Sequence, residues 1–362
     1  MTATDHIQPA SVIASGPSSL PARPYLPPVL HTVWRDAGIL QIGLDPDRAV
    51  VLHGISPAHF RFIGLLDGFH SLAQLMIRAR HLQISPSDVG QLLRRLGDAG
   101  VLMDLGETPQ RDLLDAEFTG RAMGAPRQPF GEAAARRASS LVVVRGARRL
   151  GAVIANTLCG AGVGAVHVQQ SGIVDRSDVT TGGFRVGDVG ESRNVAIDRL
   201  LGTNRAGAGN AVLDPARRPD LVVLTDPWPP PDEDEHALQL AGVHYLCASI
   251  RERRAIIGPF VIPRESSCLQ CQYLHRADRD DRWLSVFRQL RLANRSREDA
   301  GESSLNLIGA GLAVAEALQW LDGERIPETV NATLEIALPG LLLQRRFWPR
   351  HPRCPCSSRS GD

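Results

Sequence analysis

Apolar positions change their spacing twice along this chain. Between Val33 and Leu52 they fall in short runs, Val33–Trp34, Ile39–Leu44 and Ala49–Leu52, separated by Asp36–Gly38 and Asp45-Pro46-Asp47. Short apolar runs bounded by Gly, Pro and Asp predict strands joined by turns. From Ser56 the spacing becomes helical: Phe60, Ile63 and Leu66, then Leu72, Leu75, Met76 and Ala79, then Val89, Leu92, Leu93 and Leu96. Ser56-Pro57 and Ser85-Pro86 each put a capping hydroxyl ahead of a proline, whose missing N–H costs nothing in a first helical turn. Val101–Met103 predicts a last, wing-like strand. Residues 25–105 thus read as a compact winged-helix-like α+β domain.

The second change comes at Ser139. Leu141–Val144 is a continuous apolar run, as a strand buried on both faces requires. A glycine turn, a helix over Ala152–Ala161, the turn Gly162-Val163-Gly164 and a strand over Ala165–Gln169 follow. Further strands are expected at Leu221–Thr225, Val243–Ala248, Ile256–Ile262, Thr329–Ala337 and Leu341–Phe347, with a helix over Leu305–Leu321. Alternation of this kind predicts an α/β domain with a Rossmann-like βαβ sheet over 139–362. Gly309, Gly311 and Ala313 would let the last helix pack closely, and a homodimer interface is one use for it. Residues 1–24, rich in Ser, Pro and Ala, are expected to be disordered, and 106–138 to be a linker with one helix from Gly131 to Ala138.

Charge narrows the function classes. Lys and Arg total 40 against 39 Asp and Glu, a net charge of +1. Such balance argues against a protein that binds nucleic acid through phosphate contacts. Arg94 and Arg95 beside Asp88 and Asp98 make only a thin basic patch, so a winged-helix transcriptional regulator is the distant alternative. No run of the sequence suggests a membrane span, and no basic-then-apolar signal begins it, so a cytoplasmic protein is expected.

Candidate chemistry sits at two places. Cys268 and Cys271 form a C-x-x-C, and Cys354 and Cys356 a C-x-C. Two such knuckles can converge on one tetrahedral zinc ion, and four thiolates leave no open coordination position, so the zinc would be structural. A redox C-x-x-C and unrelated thiols are the alternatives. Cys159 and Cys247 are expected to be buried and inert. The second place is the turn Arg145-Gly146-Ala147-Arg148-Arg149-Leu150-Gly151. A strand–glycine turn–helix unit is where a nucleotide phosphate would rest, but Arg148 and Arg149 stand where close backbone approach would be wanted.

Residues 139–356 resemble the ThiF/ubiquitin-activating superfamily of adenylating proteins. The resemblance rests on Gly146, Leu150 and Gly151, on Ala161-Gly162-Val163-Gly164, on Ser177-Asp178, on Ile257-Gly258-Pro259 and on both cysteine pairs. It implies a nucleotide site at Gly146, Arg148, Gly151, Arg193 and Asp226. The family's ribose-binding acid falls on Gln170, its phosphate-contacting lysine near Arg193, and its arginine finger has no match in Thr180–Gly183. Asp226 stands where the family has a magnesium-binding aspartate. The site is therefore read as degenerate, and neither ATP nor Mg²⁺ is expected as a cofactor.

The stretch from Cys271 to Leu290, with Leu274-His275-Arg276-Ala277-Asp278-Arg279-Asp280 and Trp283, looks like the ThiF-like partner proteins of thiazole/oxazole-modified peptide biosynthesis. His275 and Arg276 are assigned no chemistry. The domain at 25–105 resembles a PqqD-like recognition element, which implies that an extended leader peptide adds a strand at Val50, Val51 and Leu52 and rests on the helix carrying Leu92, Leu93 and Leu96. The resemblance implies a non-catalytic protein, a homodimer, that binds a precursor leader and presents the substrate to a YcaO cyclodehydratase. The alternative it leaves is an active adenylyltransferase forming an acyl-adenylate.

Overall fold

The computed structural model describes residues 20–46, 49–105, 130–203, 211–214, 216–225, 229–230, 232–293, 301–323 and 325–357. The chain divides into two compact units between Glu132 and Ala133.

In the first unit, strands β1 (Pro24–Tyr25), β2 (Thr32–Asp36), β3 (Ile39–Ile42) and β4 (Val50–His53) precede helices α1 (Pro57–Ile63), α2 (Leu72–His81) and α3 (Pro86–Asp98) and strand β5 (Met103–Asp104). The antiparallel sheet β2-β3-β4 sets Leu40 opposite both Trp34 and Leu52. Both proline-led helices start where the caps place them. Ser56 Oγ accepts the His59 N–H at 3.3 Å, and Ser85 Oγ accepts the Asp88 N–H at 3.1 Å while donating to the Asp88 carboxylate at 2.8 Å. Leu40, Ile42, Leu52, Phe62, Leu75, Val89, Leu92, Leu93 and Leu96 close the core.

Two expectations change here. Met103–Asp104 does not join the three-stranded sheet as a wing; it pairs with β1 as a separate ribbon. Residues 20–24 also differ from the expectation. The expectation for residues 1–24 lies outside the described residues up to 19, but Ala22 and Arg23 donate their N–H groups to the Asp104 carboxylate, both at 2.9 Å. A carboxylate that satisfies two backbone donors fixes the entering strand.

The second unit carries α4 (Phe130–Ser139), β6 (Leu141–Arg145), α5 (Arg149–Gly160), β7 (Ala165–Gln169), α6 (Arg193–Gly202), β8 (Leu221–Leu224), α7 (Asp232–Ala241), β9 (Tyr245–Arg251), β10 (Arg254–Val261), α8 (Leu269–Ala277), α9 (Trp283–Ala293), α10 (Ser303–Asp322), β11 (Ala332–Ala337) and β12 (Leu343–Phe347). Its strands form one seven-stranded mixed sheet in the order β12-β11-β10-β9-β8-β6-β7. β7, β6, β8 and β9 run parallel, and β10, β11 and β12 continue antiparallel. Val142, Val144, Leu221, Val223 and Leu246 belong to the core that also holds α5 and α10, whereas Val143, Val222, Leu224 and Tyr245 belong to the cluster containing α8. Alternation across a sheet covered on both faces explains why these strands read as unbroken apolar runs.

The helix placed in the connecting segment ends within this unit. Arg137, fully buried, pairs with Asp322 at the end of α10, its Nε 2.8 Å from Oδ1, and its Nη1 donates to the Ala161 carbonyl at 2.9 Å. The remainder of that segment, 106–129, lies outside the described residues.

By length and composition alone helix α10 could cross a membrane, contrary to the expectation of no such run; more than half of it is buried in this unit, against α5, β9 and β10. A side chain at Gly309 would meet Ile250 at 3.2 Å and Ala255 at 3.3 Å, so glycine there lets the helix lie close on the sheet, whereas Gly311 is exposed with open space beside it.

Candidate functional site

The glycine turn joins β6 to α5. Gly146 has φ +94°, a conformation that glycine adopts without cost, and a Cβ on Gly151 would collide with the Gly146 carbonyl and lie 2.7 Å from Thr225 Oγ1. Thr225 Oγ1 in turn hydrogen-bonds the carbonyls of Arg145 and Gly146, both at 3.0 Å. Both glycines are thus required by the turn itself. Several polar groups around the turn are engaged within the protein. Ala147 N–H donates to Gln170 Oε1 at 2.9 Å, so the residue standing where the family has its ribose acid folds back over the turn. Arg193 pairs with buried Asp178 at 2.6 Å and donates to the Ser171 carbonyl at 3.4 Å. Arg149 donates to the Gly301 carbonyl and to Ser303 Oγ, the latter at 3.1 Å. Arg148 is the half-buried N-cap residue of α5, without a side-chain cap bond. Its charge and that of Arg193 reach Asp175, whose carboxyl is held low chiefly by the Ser177 N–H and hydroxyl. Asp226 lies outside the described residues.

The four cysteines converge as the sequence predicts. Cys268 ends the connection from β10, Cys271 lies in the first turn of α8, and Cys354 and Cys356 follow β12. Their Sγ atoms are separated by 3.9 Å (Cys268–Cys271), 3.6 Å (Cys268–Cys354) and 3.3 Å (Cys271–Cys356). A tetrahedral ion at about 2.3 Å from each sulfur would space them about 3.8 Å apart, so the donor set fits one tetrathiolate-bound metal. These separations far exceed a disulfide bond. Sulfurs this close cannot all ionise without a cation. Hydrogen bonding from Cys268 pulls the Cys271 thiol down to about 7, and the same contact pushes Cys268 up.

Groups invisible to the cysteine spacing hold the knuckles. His351 N–H donates to Cys271 Sγ at 3.3 Å, and His351 Nε2 meets Asp278 at 2.8 Å. Buried Glu235 accepts from the Tyr245 hydroxyl and from Leu269 N–H, both at 3.0 Å, and burial pushes its carboxyl up. A histidine three residues before Cys354 was the available signal. Glu235 carried none, because only the tertiary fold brings α7 to the cysteines. Cys159 and Cys247 are both buried, and burial pushes the Cys247 thiol up.

In the first unit the outer edge of β4 has no strand partner among the described residues. The six expected peptide-contact residues separate. The side chains of Leu52, Leu92, Leu93 and Leu96 are buried in the core at 3 % exposure or less, so they do not face the surface. Val50 and Val51 are half-buried on the edge strand itself. Beside them, Arg95 of α3 reaches the His53 carbonyl at 3.4 Å.

The fold has solved counterparts. It superposes on Escherichia coli MccB with a TM-score of 0.69 and 16 % identity, covering 94 % of this chain and 98 % of that one. The microcin C7 biosynthetic enzyme MccB in complex with N-formylated MccA matches at TM-score 0.68 and 16 % identity, over 92 % and 99 % of the two chains. PaaA matches at 0.66 and 15 %, over 89 % and 99 %. At this identity the likeness defines the fold, and it extends over both units. No family model and no curated protein sequence matches the chain.

Proposed function

We propose that this protein binds the leader of a ribosomally made precursor peptide at the open edge of β4 and presents the substrate to a separate YcaO cyclodehydratase, without consuming ATP at its own glycine turn. The observation that carries the reading is the self-occupied turn: Gln170 takes the Ala147 N–H, Asp178 takes Arg193, and α10 with the Gly301 carbonyl takes Arg149. MccB, of the same fold, has been seen with the peptide MccA, which supports a peptide as partner. An added strand would gain main-chain hydrogen bonds along Val50–His53, with Val50 and Val51 beside it. Arg95 would have to yield the His53 carbonyl to it. The cysteine cluster would hold one structural zinc, and the protein would act in the cytoplasm as a homodimer.

Amide hydrogen exchange with a synthetic precursor leader peptide tests the reading. Protection should rise at 50–53. Binding that protects only the second unit would refute it.

A second reading, an adenylyltransferase, is favoured by one observation: MccB of this fold has also been solved with ATP. Calorimetry with Mg-ATP decides between them. The self-occupied turn predicts no saturable heat up to millimolar nucleotide, and no peptide-dependent pyrophosphate exchange. Micromolar binding with exchange would establish the enzyme instead.

A further inference from the structure

The sheet face beneath α8 gathers charge that the proposed function does not use. Glu335 of β11 is buried, and two guanidiniums meet it. Arg254 Nη1 of β10 lies 3.3 Å from Oε2, and Arg346 Nε of β12 lies 3.2 Å from Oε1. Thr333 Oγ1 donates to the same Oε1 at 3.2 Å and receives the indole N–H of buried Trp348 at 3.0 Å. Trp348 is in turn ringed by cations. Arg276, Arg279 and Arg346 lie 5.2, 5.5 and 5.9 Å from its ring centre. Arg276 is also 5.2 Å from the Trp283 ring, so its guanidinium is shared by two indoles. Arg251, at the end of β9, turns its Nε to Ser249 Oγ at 3.3 Å and feels the charges of Arg276 and Glu335. Arg254 and Arg346 thus pair with Glu335, and Arg276 and Arg279 stack on the neighbouring indole.

That carboxylate answers Arg254 and Arg346. Among the described residues none lies within ion-pairing distance of Arg276 or Arg279. Cation–π contact contributes about 0.5–2 kcal/mol per pair, which offsets only part of the cost of withdrawing a guanidinium from water. The strain is visible in the protonation equilibria. Burial, then the Arg276 charge, pushes Arg251 down to about 9, and burial likewise lowers Arg276.

We propose that Arg276, Arg279 and Arg346 form a binding site for a doubly charged oxyanion of the phosphate class. Guanidinium forks match the oxygens of such a group. A dianion neutralises twice the charge a carboxylate would, which this excess of cations favours. The indoles of Trp283 and Trp348 hold Arg276 in place, so little side-chain freedom is lost on binding. The site shares no residue with the glycine turn or with β4, and it does not depend on the leader-binding reading.

Phosphate titrations at constant ionic strength, followed by calorimetry and phosphorus NMR, test it on the full-length protein. Inorganic phosphate or AMP should bind saturably. Arg276→Gln and Arg279→Gln should each weaken binding about tenfold or more, the loss expected for one charge-assisted contact. Arg279 is exposed, so its variant keeps the test valid if Arg276→Gln fails to fold. Arg253→Gln, whose exposed side chain pairs with Glu302 at 3.2 Å, should change nothing. Tighter binding of AMP than of phosphate assigns the group to a nucleotide, and the reverse assigns it to the free ion. Absence of saturation, equal binding of acetate, or equal weakening by Arg253→Gln would overturn the site.

Discussion

Replacing Cys354 with serine is expected to release the metal and unfold the end of the second unit. The wild-type protein should contain about one zinc per chain by elemental analysis, the number a single closed tetrathiolate site requires. Cys354 lies 3.6 Å from Cys268 and is itself buried, so a serine there removes a ligand where water cannot freely replace it. The binding free energy of a structural zinc, about 10–16 kcal/mol, is comparable to or exceeds the whole stability of an ordinary domain, about 5–15 kcal/mol. The knuckles also anchor β12, the edge strand that presents Arg346, and the tail that presents His351. Hydrogen exchange over 343–356 should therefore accelerate in Cys354→Ser and in wild-type protein treated with a strong chelator. Cys159→Ser provides the control: that thiol lies beside the Leu201 carbonyl, in a different core cluster from the knuckles, and the variant should keep its zinc. Wild-type protein that carries no zinc, and whose exchange ignores the chelator, would show the cluster to be four packed thiols.

What the sequence could show depended on how local each cause was. The starts of α1 and α3 were readable because Ser-Pro pairs act within one turn. The strands β6 and β7 were readable because a doubly covered strand has no polar face to confuse the pattern. Pairing between distant residues was not readable. The Met103–Asp104 strand had the right type and the wrong partner, since its mate Pro24–Tyr25 is too short and proline-bearing to announce itself. The stripe Leu92, Leu93 and Leu96 gave the helix but not its surroundings, because an inward stripe and a ligand-facing stripe have the same period. At the glycine turn the sequence showed Gln170 just after β7, but not that its amide oxygen would take the Ala147 N–H. The arginine cluster about Trp348 draws on β9, β10, α8 and β12, and no window of sequence contains it.

The second large effect is expected at Asp322. Its carboxylate holds Arg137 through two parallel bonds in an interior where neither side chain reaches solvent, and its own carbonyl accepts from Arg136 Nη2 at 2.7 Å. Arg137 also donates to the Ala161 carbonyl, which closes the turn after α5. One ion pair therefore joins α4, the end of α10 and the Ala161-Gly162-Val163-Gly164 turn that resembles the adenylating family's. Asp322→Ala leaves a buried guanidinium without its counter-charge, and such losses cost about 3–5 kcal/mol. Equilibrium urea unfolding should show that drop with little change in slope. The double variant Arg137→Met with Asp322→Leu separates charge from packing. It removes both ions, and the Ala161 carbonyl then loses its bond to Arg137, at about 1–3 kcal/mol. The double variant should therefore be the more stable of the two. A double variant no more stable than Asp322→Ala would mean that shape, and not the uncompensated charge, sets the loss. An Asp322→Ala protein within about 1 kcal/mol of wild type would mean that solvent reaches Arg137 after all, and that α4 is not fastened to the sheet unit in the way its geometry requires.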